Sequence, residues 1–231
     1  MSGAKQYDRI DLLDRAIELF RVQGFSDTST AELVAELGVN RKSMYAEFGS
    51  KQGLFEAALE RYNQEHLTNV IGPIEAPEAG PDAIREAFAS YGEASDGWVR
   101  GRGCLMCNTA VERAALDPGA RRYVDAYLAR LTNAFRHALS NGRDSGQLDP
   151  DTDLDELAAF FTMALIGVVA CIRAESEPAQ VRAACRVATR MLDHSQVAAN
   201  RSAAAGTGWG GWMRRGRAPG RRCERRSTPG D

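Results

Sequence analysis

The stretch GRGCLMCNTAVERA, residues 101–114, places Cys104 and Cys107 three positions apart at the start of a predicted helix. On a helix that spacing puts both sulfurs on one face, and Val111 continues the face a turn later. Paired cysteines can bind metal, form a disulfide, act as reactive thiols or simply pack. Structural zinc takes about four ligands. The chain has no second C-x-x-C, and His66, His137 and His194 are scattered without ligand spacing, so no metal or cofactor is expected. A thioredoxin-type redox catalyst needs its pair where a strand meets a helix, and no strand pattern is present. Two readings stay open. Buried cysteine packs as a small apolar group. Alternatively, Cys104 sits in the first helical turn, near the positive end of the helix dipole and just after Arg100 and Arg102. That position favours the thiolate, which attacks electrophiles or oxidants.

A second group with chemistry in it is Arg41, Lys42, Ser43, Tyr45 and Lys51, with Thr30 a short distance upstream. Arginine, lysine and hydroxyl side chains at one end of a short helix are what phosphate and base-edge contacts require. Lys51 opens the following helix, whose N-terminal amides also favour an anion.

These groups need elements to hold them, and helical spacing runs through the whole chain. Ile10, Leu13, Ile17 and Phe20 share a face, and Gly24 closes that helix. Ser29 and Glu32 have capping-box spacing before Leu33, Val34 and Leu37. Gly38 ends this second helix. Asn40 caps a third, with Met44 and Phe48 inward, and Ser50 caps a longer one through Leu54, Phe55, Ala58, Leu59 and Tyr62. The Pro- and Gly-rich stretch at 71–81 marks a break and a candidate domain boundary. Further helices are expected at about 82–95, 103–116, 118–141, 152–174 and 178–193. Two short helices joined at Gly38-Val39 and braced by a third fit a helix-turn-helix, with the exposed N-terminal half of the second free to enter a major groove.

Composition sets the outer limits. The chain has 231 residues, 44% hydrophobic and 26% charged, enough for a real core. Five cysteines at irregular spacing give no secreted disulfide framework, and the polar start carries no secretory signal, so a cytoplasmic protein is expected. The apolar run 157–172 is shorter than a bilayer span, and no membrane partner is expected. The net charge of −2 hides a basic end: eight arginines against two acids from about residue 195 onward. That end lacks periodicity and reads as disordered.

The stretch TSTAELVAELGVNRKSMYAEFGSKQGLFEAAL, residues 28–59, closely resembles the DNA-binding signature of TetR-family (TetR/AcrR-type) transcriptional regulators. Gly38, Val39, Ser43, Tyr45, Phe48, Lys51 and Leu54 match in order and spacing. The resemblance is specific over roughly residues 9–60. It implies an all-α fold: a three-helix helix-turn-helix domain at 1–50, a helical ligand-binding and dimerisation domain at 51–194, and the tail at 195–231. It implies that Tyr45 and Lys51 contact phosphates of double-stranded operator DNA, that Arg41, Lys42 and Ser43 lie at the groove, and that Thr30 belongs to the same face. Ala46 and Glu47 depart from the basic or aromatic residues frequent there. Glu47 either accepts from a cytosine or points away.

A short recognition helix gains specificity when two copies read two half-sites, and the family is homodimeric. The segment at 154–172 is apolar on nearly all faces. Phe161, Leu165, Val168 and Ile172, with Val181, Cys185, Ala188 and Leu192, are the expected dimer interface, packed as a four-helix bundle across a two-fold axis. The resemblance places Phe88, Tyr91, Trp98, Cys104, Met106, Cys107, Tyr123, Tyr127, Phe160 and Met163 around a pocket for a small apolar or aromatic ligand. Arg100, Arg102 and Glu112 are candidates for polar specificity there. GCLMCNTAVE is similar to a stretch in one subset of the family, and some TetR-type repressors sense electrophiles through a cysteine. The expected function is a regulator, not an enzyme: a repressor released by ligand, or alternatively through Cys104. A C-x-x-C redox catalyst and a helical adaptor that no longer binds DNA are the rival classes.

Overall fold

The computed structural model of the protein describes residues 7–97, 99–112 and 117–193. Trp98, His194, Cys223 and the basic tail lie outside the described residues. Among the described residues the chain is helical, with no strand.

Helix α1 (Arg9–Gln23) starts where the Asp8 carboxylate accepts from the Ile10 amide. It buries Leu12, Leu13, Ala16, Ile17 and Phe20. Helix α2 (Thr30–Leu37) opens with the expected Ser29–Glu32 capping box, a feature worth about 1 kcal/mol. Gly38 ends it at φ 66°. A side chain there would be strained, so glycine lets the chain turn sharply into α3 (Arg41–Phe48), capped by the Asn40 side chain. Ser50 caps α4 (Lys51–Arg61).

The chain then departs from the sequence expectation. Instead of breaking at 71–81, α4 passes through one π-helical turn (Tyr62–His66) into α5 (Leu67–Glu75), which contains Pro73. Pro73 removes one amide donor from the helical ladder, but it lies in the last turn, with only Ile74 and Glu75 following it in the helix. The break shrinks to 76–80, where the Asn141 amide donates to the carbonyls of Pro77 (2.9 Å) and Ala79 (2.8 Å). Helices α6 (Pro81–Ala94), α7 (Leu105–Glu112), α8 (Pro118–Asp144), α9 (Leu154–Arg173) and α10 (Pro178–Thr189) follow, and a 3₁₀ turn (Arg190–Leu192) closes the described chain.

Helices α1–α4 pack around Phe20, Phe25 and Phe55, whose ring centroids lie 4.8–6.2 Å apart. Arg61 of α4 reaches back to α1 with two hydrogen bonds to the Asp14 carboxylate, at 2.7 and 2.9 Å. The larger layer, α5, α6 and α8–α10, closes around Phe88, Phe135 and Phe161.

The residues expected at the dimer face lie inward in the single chain. Phe161, Leu165, Val168 and Ile172 of α9 and Val181, Cys185, Ala188 and Leu192 are all buried within one chain. Cys185, for example, sits against Gly92 of α6. Side chains already covered leave nothing for a second chain to bury. The exposed apolar residues lie on the opposite stripe: Phe160, Met163, Gly167, Ala170 and Cys171 on α9, with Val187 on α10. Phe160 and Met163 therefore face outward and not into a pocket, at 41% and 58% exposure. The Cys171 thiol, on the same stripe, is free and exposed. By length and composition α9 could cross a membrane, but its inner half is packed between α8 and α10.

Candidate functional site

The edge expected to face DNA is built from the N-terminal half of α3. Arg41 and Lys42 are exposed in its first turn, and the Arg41 guanidinium lies over the Tyr45 ring, 5.4 Å from its centroid. The Tyr45 and Thr30 hydroxyls are 3.2 Å apart, tying α3 to the start of α2. The Thr30 hydrogen bond, with Arg41 beside it, lowers the Tyr45 phenol below its ordinary value. The Lys51 ammonium lies 4.2 Å from the centroid of the Phe25 ring, a cation–π contact that fixes the side chain at the start of α4. The structure thus gathers Thr30, Arg41, Ser43, Tyr45 and Lys51 on and around α3.

Glu47 is not part of this edge. Its carboxylate accepts from Arg9 Nε at 3.2 Å and from the Tyr7 hydroxyl at 3.5 Å. Of the two readings of Glu47, the geometry matches the one in which it points away from the groove. Met44 is fully buried, and Phe48 packs under the Arg9 guanidinium.

A cavity of ≈ 550 Å³ lies beneath, walled by α1, α5, α6, α9 and the loop before α7. That volume suits a small organic ligand. Its wall is mostly apolar: Tyr62, Val70, Pro73, Tyr91, Val169 and Ile172 contribute, with Cys104 at one end. Of the expected pocket residues, Tyr91 and Cys104 line it. Phe88, Met106, Cys107 and Tyr127 belong to the buried core, and Tyr123 packs at its edge near Arg122. Sequence periodicity marks such residues as inward-facing but does not distinguish cavity wall from solid core.

Arg21 lines the cavity and was not expected there. It is a charged residue on an amphipathic helix, so nothing local marks it as buried. Its burial comes from Gly103, whose carbonyl accepts from Arg21 Nε (3.3 Å) and Nη2 (2.8 Å); Nη1 pairs with Glu18 at 2.6 Å. The polar residues expected to give specificity are engaged by other partners, two of them by backbone. Arg100 donates to the carbonyls of Glu175 and Ser176, and Arg102 pairs with Glu18. Glu112 accepts from the amides of Phe25 and Ser26 at 3.1 and 2.7 Å.

Cys104 and Cys107 are buried and not joined as a disulfide. The Cys104 thiol is pushed down by hydrogen bonds from the Cys107 thiol and amide, the Tyr62 hydroxyl and the Met106 amide, which outweigh its desolvation. Cys107 is pushed up, because its proton is held toward Cys104 and the group is desolvated. Its sulfur lies 3.8 Å from the Tyr127 hydroxyl. Burial and the neighbouring thiols likewise raise Tyr62, Tyr91 and Tyr127. The shifts of the two thiols run in opposite directions because they share one hydrogen bond: Cys107 donates and Cys104 accepts. Among the described residues no group of three or more His, Cys, Asp or Glu could hold a metal ion.

A short, exposed, basic helix braced by two others, joined to a larger all-helical unit that contains a mostly apolar cavity, has the layout of a helix-turn-helix regulator. Residues 12–58 match the family described as bacterial regulatory proteins, tetR family, and residues 80–188 match the tetracyclin repressor-like C-terminal domain. The chain is 30% identical over 194 residues to the uncharacterised HTH-type transcriptional regulator YezE of Bacillus subtilis, covering 84% of this chain and 100% of the relative. It is 27% identical over 165 residues to the HTH-type transcriptional repressor ComR of Escherichia coli, covering 71% and 79%. Among solved structures, a cysteine variant of the TetR-family regulator CifR, complexed with 26 bp operator DNA, superposes with a TM-score of 0.72 at 27% identity, covering 80% of this chain and 97% of that one. The chain belongs to the TetR family of bacterial transcriptional regulators. It is not an enzyme; its relatives are transcriptional regulators.

Proposed function

We propose that the protein is a homodimeric repressor that binds double-stranded operator DNA through α3 and is released by a small, mostly apolar ligand bound in the cavity. Helices α1–α3, within residues 1–50, form the reader; the helices from residue 51 onward form the sensor and dimer unit. The observation that carries this reading is the shared wall: Arg21 belongs to α1 of the reader and also lines the cavity. A ligand that alters Arg21's surroundings acts on the reader directly. Release then follows if ligand binds more tightly to a conformation whose two recognition helices are misplaced for the operator. The exposed stripe of Phe160, Met163, Gly167 and Val187 is the dimer face in this reading. Its small residues let helices approach closely, and a two-fold axis would cover it.

The test is to select a preferred sequence from random double-stranded DNA with the full chain, then screen apolar small molecules for thermal stabilisation and for release from that DNA. Stabilisation reports preferential binding to the folded state. Ligands that raise the melting temperature yet leave DNA affinity unchanged would sink the release mechanism.

A second reading is favoured by one observation. Cys104 is the buried thiol with a lowered proton affinity, and it borders the cavity. Covalent capture of an electrophile or oxidant at Cys104 would then replace reversible binding as the signal. Wild-type protein losing its DNA on treatment with iodoacetamide, while Cys104→Ser holds it, would support this route. Equal responses would remove it.

A further inference from the structure

The reader meets the rest of the chain along α4 and through a polar cluster at the C-terminal end of α1, where Arg21, Glu112 and Arg173 all make contacts across the junction. Helix α4 runs on through the π turn into α5. A single helical attachment leaves the reader free to swing about that helix. The polar cluster lies off that axis. Arg173, the last residue of α9, donates Nη1 to the Arg21 carbonyl and Nη2 to the Val22 carbonyl at 3.2 Å. The same Nη1 reaches the carbonyls of Arg102 (3.1 Å) and Gly101 (3.4 Å) in the loop before α7. Asn108 adds a second donor to the Arg21 carbonyl (3.2 Å) and another to Arg102 (2.9 Å).

The chemistry suits the place. The last carbonyls of α1 have no partner within their own helix and carry the negative end of its dipole, so a cation is favoured there. Guanidinium is a planar fork whose separate N–H groups serve several carbonyls at once; an ammonium is a point charge. The fit is close: a Cβ at Gly103, where φ is +66°, would meet the Arg173 Cβ at 3.0 Å. Arg173 therefore ties three bodies together: the reader through α1, the loop that ends at Cys104, and α9, which carries the exposed apolar stripe.

We propose that Arg173 is a positioning residue for DNA binding. It fixes the angle at which the reader leaves α9, and so the separation of the two α3 helices in the dimer. This rests on the dimeric reading above. Half-site spacing mirrors the separation of recognition helices, so the role has a signature that simple stabilisation lacks.

The full chain is first used to select its preferred inverted repeat from random double-stranded DNA. Wild type, Arg173→Met, Arg173→Lys and Asn108→Ala are then titrated against that repeat and against copies with base pairs inserted or removed between the half-sites. Arg173→Met keeps the aliphatic stem and is expected to lose about tenfold in affinity for the selected spacing, a loss in keeping with removal of charged hydrogen bonds. Its affinity for altered spacings is expected to change far less, so the preference flattens. Arg173→Lys is expected to fall between, and Asn108→Ala to flatten the preference in the same direction even if Arg173→Met folds poorly. A uniform loss across all spacings, or an unchanged spacing ratio in the folded variants, overturns the proposal. If wild type selects DNA but no inverted repeat, the dimeric reading itself fails and takes the proposal with it.

Discussion

The hydroxyls of Tyr45 and Thr30 lie 3.2 Å apart and join the recognition helix to the helix that braces it. A phosphate oxygen approaching this edge would meet a phenol already oriented by its neighbour, with the Arg41 guanidinium over the same ring. Tyr45→Phe is expected to weaken operator binding with little effect on sequence preference, because phosphate contacts position the protein and do not specify sequence. Lys51→Ala is expected to weaken binding to all sequences and to reduce the slope of log K against log salt by about 1. Fluorescence anisotropy across a salt series measures both; an unchanged slope for Lys51→Ala would remove it from the phosphate contacts.

Glu47 gives a contrasting expectation. Its carboxylate is engaged by Arg9 and Tyr7, away from the groove. Glu47→Gln is expected to select the same operator from random DNA as wild type, with a modest loss of stability. The Arg9 side is exposed but the Glu47 side chain is only 14% exposed, which puts the pair above the about 0–1 kcal/mol of a fully exposed one. A shifted base preference at a single operator position would show that Glu47 reads DNA after all.

Phe160 and Phe161 are neighbours in sequence with opposite surroundings. Phe161 is fully buried against Phe88 and Phe135, and Phe160 is 41% exposed. Phe161→Ala is expected to cost about 3–5 kcal/mol of chain stability. Phe160→Glu, alone or with Met163→Glu, is expected to leave the helical fold in place and yield monomer. Chemical denaturation and sedimentation separate the two effects. A Phe160→Glu protein that remains dimeric would move the interface elsewhere.

The proton affinity of Cys104 predicts a pH dependence. Hydrogen bonds from Cys107 and Tyr62 hold the folded thiol at about 6, against an ordinary value of 9.0. Between these values the unfolded chain binds the extra proton, so folding gains stability as pH rises through the window. Relative to Cys104→Ser, reduced wild type is expected to become progressively more stable from about pH 6 to pH 9, and to lose that advantage as pH falls through 6. Melting curves of the two proteins across that range check it; parallel curves would show that the thiol is not held ionised.

The parts of this protein legible in its sequence are those fixed by neighbours along the chain. The Ser29–Glu32 box, the left-handed Gly38 and the Asn40 cap are local devices, and they delimit α2 and α3 without reference to the rest of the fold. Helix α9 was harder for the opposite reason. It is apolar on two sides, and periodicity alone does not say which stripe meets the chain's own core and which is left outside. Phe161, Leu165 and Val168 went inward; Phe160 and Met163 did not. Arg21, Asn108, Glu112 and Arg173 were illegible as junction residues because the groups they bind lie 82 to 152 positions away or are backbone atoms without side-chain identity. The proline at 73 misled because its effect depends on how much helix remains after it.

The presence of Arg21 in the cavity wall bears on how such proteins can be recombined. If the reader were a self-contained cassette, α1–α3 from one family member could be grafted onto the sensing helices of another. Here the graft would import a foreign side chain into the cavity wall and take away the donor that serves the Gly103 carbonyl. Chimeras of this chain are therefore expected to change ligand preference along with DNA preference unless residue 21 is kept as arginine. A lineage that alters its operator is bound by the same constraint. The reading surface of α3 can drift freely, but the inner end of α1 must evolve with the chamber it helps to enclose.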